Sequence, residues 1–174
     1  PAVRMQALDS IAEVGEPAVP GLIKALGNEK GRYWALVVLS DMGPVAKTAV
    51  PDVAKLTADK QFAIRREALM TLGKIGPDAA SATPQIIKAL GDEEPAVRYA
   101  AIFAIGQLGA GAKEAIPALK KNLDGKDEFA KVVSAWAIAK LQPGDKTALV
   151  ASLPILASGL ASEDTNVRRV AVHS

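Results

Sequence analysis

The sequence has no cysteine and only one histidine among its 174 residues. Without cysteine there is no disulfide, no thiolate nucleophile and no cysteine-ligated metal site. The one histidine, His173, cannot form a histidine cluster for a metal, and we expect no Ser-His-Asp or Cys-His catalytic arrangement within the chain. We therefore predict that the chain is not an enzyme, and we expect neither a cofactor nor a bound metal.

Aromatic residues, long apolar runs and net charge are also scarce. Aromatic residues make up 4% of the chain, although apolar residues make up 49%. No apolar run approaches the roughly 18 residues of a membrane span, so we expect no membrane insertion. The 21 basic and 19 acidic residues leave a net charge of +2, which argues against a nucleic-acid partner. The glycines are spread along the chain and form no phosphate-binding loop, and no small-molecule substrate is evident.

The sequence does contain a repeat. Basic residues recur every 33 positions at Arg32, Arg65, Arg98 and Lys131, and prolines recur at similar spacing at Pro20, Pro51, Pro84, Pro117 and Pro154. This period is typical of stacked supersecondary units, none of which can bury its apolar face alone.

Each repeat is predicted to contain two helices. One apolar stripe at helical spacing defines the first, helix A, and is formed by Ala68, Leu69, Leu72 and Ile75 in the third copy and by Ala7, Leu8, Ile11 and Val14 in the first. Gly76 and Pro77 are typical of a helix end. The five repeated prolines predict the first turn of a shorter helix B, because proline is tolerated only there. Antiparallel helix pairs in a stack predict an all-α solenoid.

We predict a single array over residues 1–174, with repeats at about 1–28, 29–61, 62–94, 95–127 and 128–164 and a partial repeat at 165–174. Neither end has the atypical polar repeat that normally caps a solenoid, so we expect the chain to be a piece of a longer protein. Residues 142–152 lengthen the fifth copy. They are either a functional excursion or a neutral surface loop.

The units resemble the short bacterial HEAT-like repeat, which is also found in proteins of the phycobilisome-lyase type. The residues that carry the resemblance are the Val-Arg entries (Val3-Arg4, Val97-Arg98, Val167-Arg168), the Gly-Pro exits (Gly43-Pro44, Gly76-Pro77) and the helix B prolines. The resemblance implies an armadillo/HEAT-like superhelix of about five two-helix repeats, in which the B helices line the concave, partner-binding surface.

The resemblance also implies a ladder of hydrogen bonds between neighbouring repeats. Its members are aspartates and the arginines that follow them, namely Asp59 and Arg65, Asp92 and Arg98, and Asp164 and Arg168.

Lysines recur four residues after the helix B prolines. They are Lys24, Lys55, Lys88 and Lys121, with Ser158 in the fifth copy. Equivalent positions stack in a solenoid, so these side chains are predicted to form a row along the B helices. The row either binds an anionic partner, such as an acidic protein segment, or is a solvated face on which the helix dipole favours lysine.

Two aromatic positions are further candidates. Val37, Met70, Phe103 and Trp136 share one slot, which we expect to pack against the A helix of the next repeat. The slot of Trp34 holds Gln6, Glu67, Ala100 and Val133 in the other copies. We therefore expect Trp34 to be exposed on the convex side, either as a local binding spot or as a packing contact.

The sequence as a whole predicts a non-catalytic protein–protein interaction scaffold that binds its partner on the concave helix B face. The resemblance leaves one alternative open, a bilin lyase or lyase subunit of the phycobilisome type. The lysine row leaves another, a nucleic-acid-binding HEAT-like protein.

Overall fold

The computed structural model describes Leu8 and residues 10–172, so the predicted features at Arg4 and His173 lie outside the described residues. The described part of the chain is all-α and contains no strand. Its α-helices are α1 (Val19–Leu26), α2 (Arg32–Met42), α3 (Val50–Leu56), α4 (Phe62–Ile75), α5 (Thr83–Ala89), α6 (Pro95–Leu108), α7 (Ile116–Leu123), α8 (Glu128–Leu141), α9 (Lys146–Leu160) and α10 (Thr165–Val172). The even-numbered helices are the A helices and the odd-numbered ones the B helices. Together they form the predicted α-solenoid.

Three of the A helices end at a glycine that only glycine can occupy without strain. Gly43, Gly76 and Gly109 have φ values of 55°, 76° and 60°, with ψ between −129° and −144°. Other residues rarely adopt this region. The helix ends predicted at these glycines are therefore confirmed.

The segment between helices A and B is more ordered than the predicted linker. It forms 3-10 helices at Glu16–Ala18, Gly43–Ala49, Gly76–Ala82 and Gly109–Ala115. Each leads directly into a B helix whose first turn contains the predicted proline, as at Pro84 of α5.

Pro154 is an exception, and the prediction that it starts a B helix is wrong. It lies inside α9, which begins well before it. The carboxylate of Asp145 accepts hydrogen bonds from the backbone N–H groups of Thr147 at 2.9 Å and Ala148 at 3.1 Å. This N-cap starts the helix upstream, and the first-turn preference of proline does not decide the boundary here.

The core lies between the two helix layers and consists of aliphatic residues with many alanines. The A helices approach each other closely at Gly73 of α4. A Cβ atom at this position would lie only 3.1 Å from the Cα of Ala104 in α6. The hydroxyl of Thr71 donates to the carbonyl of Leu36 at 3.1 Å and joins α4 to α2.

The first copy departs from the predicted stripe. Ile11 and Val14 are 39% and 58% exposed, whereas Leu72 and Ile75 of the third copy are fully buried. Within the described residues no repeat precedes Ile11 and Val14, so nothing described there covers them.

A ladder of arginines and aspartates joins the turns between repeats. Nε and Nη2 of Arg65 donate to the carboxylate of Asp92 at 2.7 and 2.8 Å, and its Nη1 donates to the carbonyl of Asp59 at 3.0 Å. The carboxylate of Asp59 accepts a single hydrogen bond from Nη1 of Arg32. Arg65 therefore joins the turns that contain Asp59 and Asp92, and Arg32 joins α2 to the turn that contains Asp59.

The ladder is shorter than the resemblance implies. Arg98 donates to the carbonyl of Asp92 at 2.9 Å, but the position 33 residues after Asp92 is Gly125, which has no carboxylate. The carboxylate of Asp164 accepts from the backbone N–H of Asn166 at 2.7 Å. The carboxylate pairing therefore ends at Asp92, and Arg168 repeats only the carbonyl contacts, with Ser162 at 2.7 Å and Glu163 at 2.9 Å.

Candidate partner-binding surfaces

The four predicted lysines lie at equivalent places on successive B helices. Lys24, Lys55, Lys88 and Lys121 are all exposed and each lies in the last turn of its helix. The negative end of the helix dipole favours a cation at this place. Lys55 donates to Asp52 at 2.8 Å, and the other three lysines form no ion pair with any described residue.

Two of the lysines line the same polar cleft. This cleft of about 570 Å³ lies between the ends of α3 and α5, and Lys55 and Lys88 are among its lining residues. Asp59 and Asp92 also line it, but their carboxylates are bound by arginines of the ladder. The ammonium groups of the two lysines are therefore more accessible to a ligand than these two carboxylates.

A larger groove crosses the solvent-facing surface of the A helices. Its volume is about 940 Å³, and it extends from α2 to α10. The residues that line it are Ser40, Arg66, Glu67, Met70, Ala96, Tyr99, Ala100, Phe103, Gln107, Phe129, Val133, Trp136, Arg169 and Val170. We call it the aromatic groove.

Aromatic rings form much of its surface. The rings of Phe103 and Trp136 stack with centroids 5.9 Å apart and an interplanar angle of 10°, and those of Tyr99 and Phe129 are 4.7 Å apart. All four side chains are only half-buried. Half-buried aromatic side chains are suited to binding a partner, because their remaining apolar surface can be covered by it.

The position of Trp136 depends on a glycine in the neighbouring A helix. A Cβ atom on Gly106 would overlap the Cζ3 atom of Trp136, so the indole occupies the space that a side chain would fill. Phe103 packs against the A helix of the next repeat, as predicted, through its stacking with Trp136, whereas the contact of Trp136 with Gly106 is with the preceding A helix. The spacing did not predict that both side chains also face solvent and line a groove.

Two exposed arginines line the groove. Arg66 is 45% exposed, whereas Glu67 is 13% exposed and lies 3.4 Å from Arg66. Arg169 is exposed. Burial and a 2.7 Å hydrogen bond to Asp127 raise the pKa of Tyr99 to about 12, so its hydroxyl is neutral at physiological pH.

Trp34 is half-buried, which differs from the exposed position that we expected. Its ring meets Tyr33 edge to face, with centroids 5.2 Å apart. Its slot in the following repeats holds Glu67, Ala100 and Val133, all of which line the aromatic groove. Trp34 therefore occupies the equivalent place one repeat earlier.

The packing of the two layers does not favour a concave helix B surface. The A helices contact one another along much of their length, and the B helices touch one another at few places. In a curved stack the more closely spaced layer lies on the inner side. The A helices, which carry the aromatic groove, therefore fit the inner layer better than the lysine-bearing B helices do.

Among the residues that the structure describes, no group of three or more His, Cys, Asp or Glu side chains is arranged to hold a metal ion. Within the same residues, no helix is long and apolar enough to span a membrane.

Comparison with known proteins places this architecture in context. The family model described as HEAT repeats matches residues 50–142 and 83–174, which together make up more than half of the chain. No curated protein sequence matches the chain at a significant level.

Solved structures share the fold. The complex of CpcE and CpcF of phycocyanin lyase from Nostoc sp. PCC7120 is 24% identical, with a TM-score of 0.72 over 95% of this chain and 68% of that chain. A designed armadillo repeat protein in complex with the peptide (KR)4 is 20% identical, with a TM-score of 0.67 over 96% of this chain and 88% of that chain. An engineered protein is 22% identical, with a TM-score of 0.63 over 96% of this chain and 86% of that chain.

Proposed function

Because the chain belongs to the HEAT repeat family, we propose that it is a non-catalytic scaffold that binds a protein partner, and that the lysine row on its B helices binds an acidic segment of that partner. The observation that supports this proposal is the recurrence of Lys24, Lys55, Lys88 and Lys121 in the last turn of successive B helices, all exposed. Stacked repeats of this kind offer extended binding surfaces.

The row fits an acidic peptide better than a nucleic acid. One of its four charges is already balanced, because Lys55 binds Asp52 at 2.8 Å, and the exposed Glu93 lies in the same cleft as Lys88. A phosphate backbone is bound through many cations, with a steep dependence on salt. An acidic peptide needs only a few such contacts.

The experiment is a titration of the chain with a fluorescein-labelled octaglutamate peptide, followed by fluorescence anisotropy. The double variant Lys55→Glu/Lys88→Glu is compared with Lys47→Glu/Lys113→Glu, which makes the same charge change at exposed lysines outside the row. The proposal expects binding to be lost in the first variant and kept in the second. Equal binding by both variants would show that the row is only a solvated face.

The same two variants test the identity of the natural partner. A protein that is captured from lysate by the unaltered chain and by Lys47→Glu/Lys113→Glu, but not by Lys55→Glu/Lys88→Glu, binds through the row. Duplex DNA serves as a further ligand. Binding of DNA that weakens steeply with salt and depends on the row would instead favour the nucleic-acid-binding alternative.

A lyase role is a second candidate. It is supported by the similarity to the phycocyanin lyase complex over 95% of this chain. A lyase subunit must interact with the bilin or with the protein that carries it. Addition of a free bilin to the chain, followed by visible absorbance, tests the first requirement. An unchanged bilin spectrum at saturating protein counts against direct bilin binding.

A further inference from the structure

The aromatic groove lies on the A helices, away from the surface used in the proposed function. We propose that this groove binds a peptide segment in which aromatic or large aliphatic side chains are flanked on both sides by acidic residues. The proposal rests on the shape and chemistry of the groove and does not depend on the lysine row.

The apolar part of the argument concerns the middle of the groove. The rings of Phe103 and Trp136 stack with centroids 5.9 Å apart, and both side chains are only half-buried. Met70 and Val133 line the same groove. Partly covered aromatic side chains in a groove are typical binding hot spots, because a partner's apolar side chain removes both surfaces from water. This favours at least two large apolar side chains in the ligand.

The charge argument concerns two arginines on either side of the aromatic rings. Arg66 and Arg169 both directly follow the repeated basic residue that enters an A helix, one in α4 and the other in α10, and both are exposed and line the groove. The acidic residue Glu67 also lines it, but its side chain is mostly buried and its carboxylate lies 3.4 Å from the Arg66 guanidinium. A guanidinium has five N–H donors, so an arginine that already has one partner keeps donors for a further carboxylate. The groove therefore offers guanidinium donors to an acidic ligand on both sides of its apolar middle.

The spacing of these arginines sets the size of the ligand. They are three A helices apart, and packed helices are separated by 8–10 Å, so the guanidinium groups lie about 24–30 Å apart along the stack. An extended peptide advances about 3.3 Å per residue and spans this length in about eight residues. We therefore expect the acidic groups of the ligand to be separated by roughly that number of residues.

The test uses three fluorescein-labelled peptides of about nine residues, a length set by the same rise per residue. The first has two aspartates at each end and Phe-Leu-Ser-Phe-Leu in the middle. The second has lysines in place of the aspartates. The third keeps the aspartates and has a middle of glycine and serine. Binding to the whole chain is measured by fluorescence anisotropy at one fixed salt concentration, because exposed charges are screened by salt.

The expected result is that the first peptide binds at least about tenfold more tightly than either of the others. Arg66→Glu/Arg169→Glu should reverse the preference between the aspartate and lysine peptides. Lys55→Glu/Lys88→Glu is the matched control, since it makes the same charge change on the B helices, and it should leave the preference intact. A reversal is a gain of binding for the lysine peptide, so a misfolded variant cannot produce it.

Several outcomes would overturn the proposal. They are equal affinity for the aspartate and lysine peptides, no saturable binding of any peptide up to about 1 mM, and loss of the preference in the lysine variant but not in the arginine variant. The last of these would leave the proposed acidic-segment site on the B helices intact. Failure of the octaglutamate titration, in turn, would leave the groove proposal untouched.

Discussion

Removal of the Asp92 carboxylate is expected to destabilise the array strongly, because this group closes one rung of the arginine ladder. The side chains of Arg65 and Asp92 are 11% and 12% exposed, and two charge-assisted hydrogen bonds of 2.7 and 2.8 Å join them. Breaking a buried ion pair by removing one partner costs about 3–5 kcal/mol. Since both side chains keep some contact with water, we expect Asp92→Ala to lower the free energy of unfolding by about 3 kcal/mol.

The assay is urea unfolding followed by circular dichroism, with the slope of free energy against urea compared between variants to confirm that the same surface unfolds. Glu29→Ala is the matched control. Glu29 forms an ion pair with Lys60 at 2.7 Å between the same two turns that Arg32 and Asp59 join, but the two side chains are 60% and 73% exposed. Exposed pairs contribute little, so this variant should unfold at nearly the same urea concentration as the unaltered chain.

The same rung predicts a dependence on pH. Arg65 holds the pKa of Asp92 below its usual value. A carboxyl whose pKa is lowered in the folded state contributes stability above its unfolded pKa, and this contribution is lost as the pH falls through the lowered folded value. Asp92→Ala should therefore lose less stability than the unaltered chain on acidification. Equal destabilisation by Asp92→Ala and Glu29→Ala, or identical acid profiles, would refute the role assigned to the ladder.

Three further predictions concern the core, a tyrosine and a glycine. Leu72→Ala removes a fully buried side chain and should lower the free energy of unfolding by about 2–5 kcal/mol. Leu90→Ala should lower it less, because Leu90 is half-buried. An unchanged melting temperature of Leu72→Ala would contradict the packing described above. The pKa of Tyr99 is raised to about 12, so the stability that its neutral hydroxyl contributes is fully present below the unfolded pKa of about 10 and is lost as the pH rises through about 12. Above pH 10 the urea midpoint should therefore fall more in the unaltered chain than in Tyr99→Phe. Parallel curves of urea midpoint against pH would count against this. Gly76→Ala forces alanine into a backbone region with φ of 76° and should lower the free energy of unfolding, measured in urea, by about 1–3 kcal/mol. An unchanged free energy of unfolding would mean that the turn relaxes without strain.

Much of the fold follows from the sequence because repeated residues report on repeated geometry. In the third repeat, Gly76 marks the end of a helix because it adopts a positive φ. Pro84 marks the start of the next helix because it lacks a backbone N–H. Pro154 shows where this reasoning fails. Its preference for a first turn is weaker than the N-cap that Asp145 provides, so the local capping residue decides where α9 begins.

The candidate surfaces were predicted less evenly. The lysine row follows from spacing, because equivalent positions in a solenoid lie in line. The aromatic groove does not, because periodicity gives the slot of Phe103 and Trp136 but not how much of each ring remains exposed. That exposure depends on Gly106, whose missing side chain lets the indole of Trp136 lie close to α6. The clustering of aromatics in two consecutive A helices was the signal available in the sequence.

The glycine at position 125 makes the two halves of the array unequal. Arg65 forms a carboxylate rung with Asp92, whereas Gly125 offers no carboxylate to Arg98. The junction between α6 and α8 is instead held by the hydrogen bond from the Tyr99 hydroxyl to Asp127 at 2.7 Å and by the stacked rings of Phe103 and Trp136. In a stack whose stability depends on nearest-neighbour interfaces, this junction therefore depends on side chains that also line the aromatic groove. A ligand that covers these side chains would contact both repeats at once and would couple them where the carboxylate is missing.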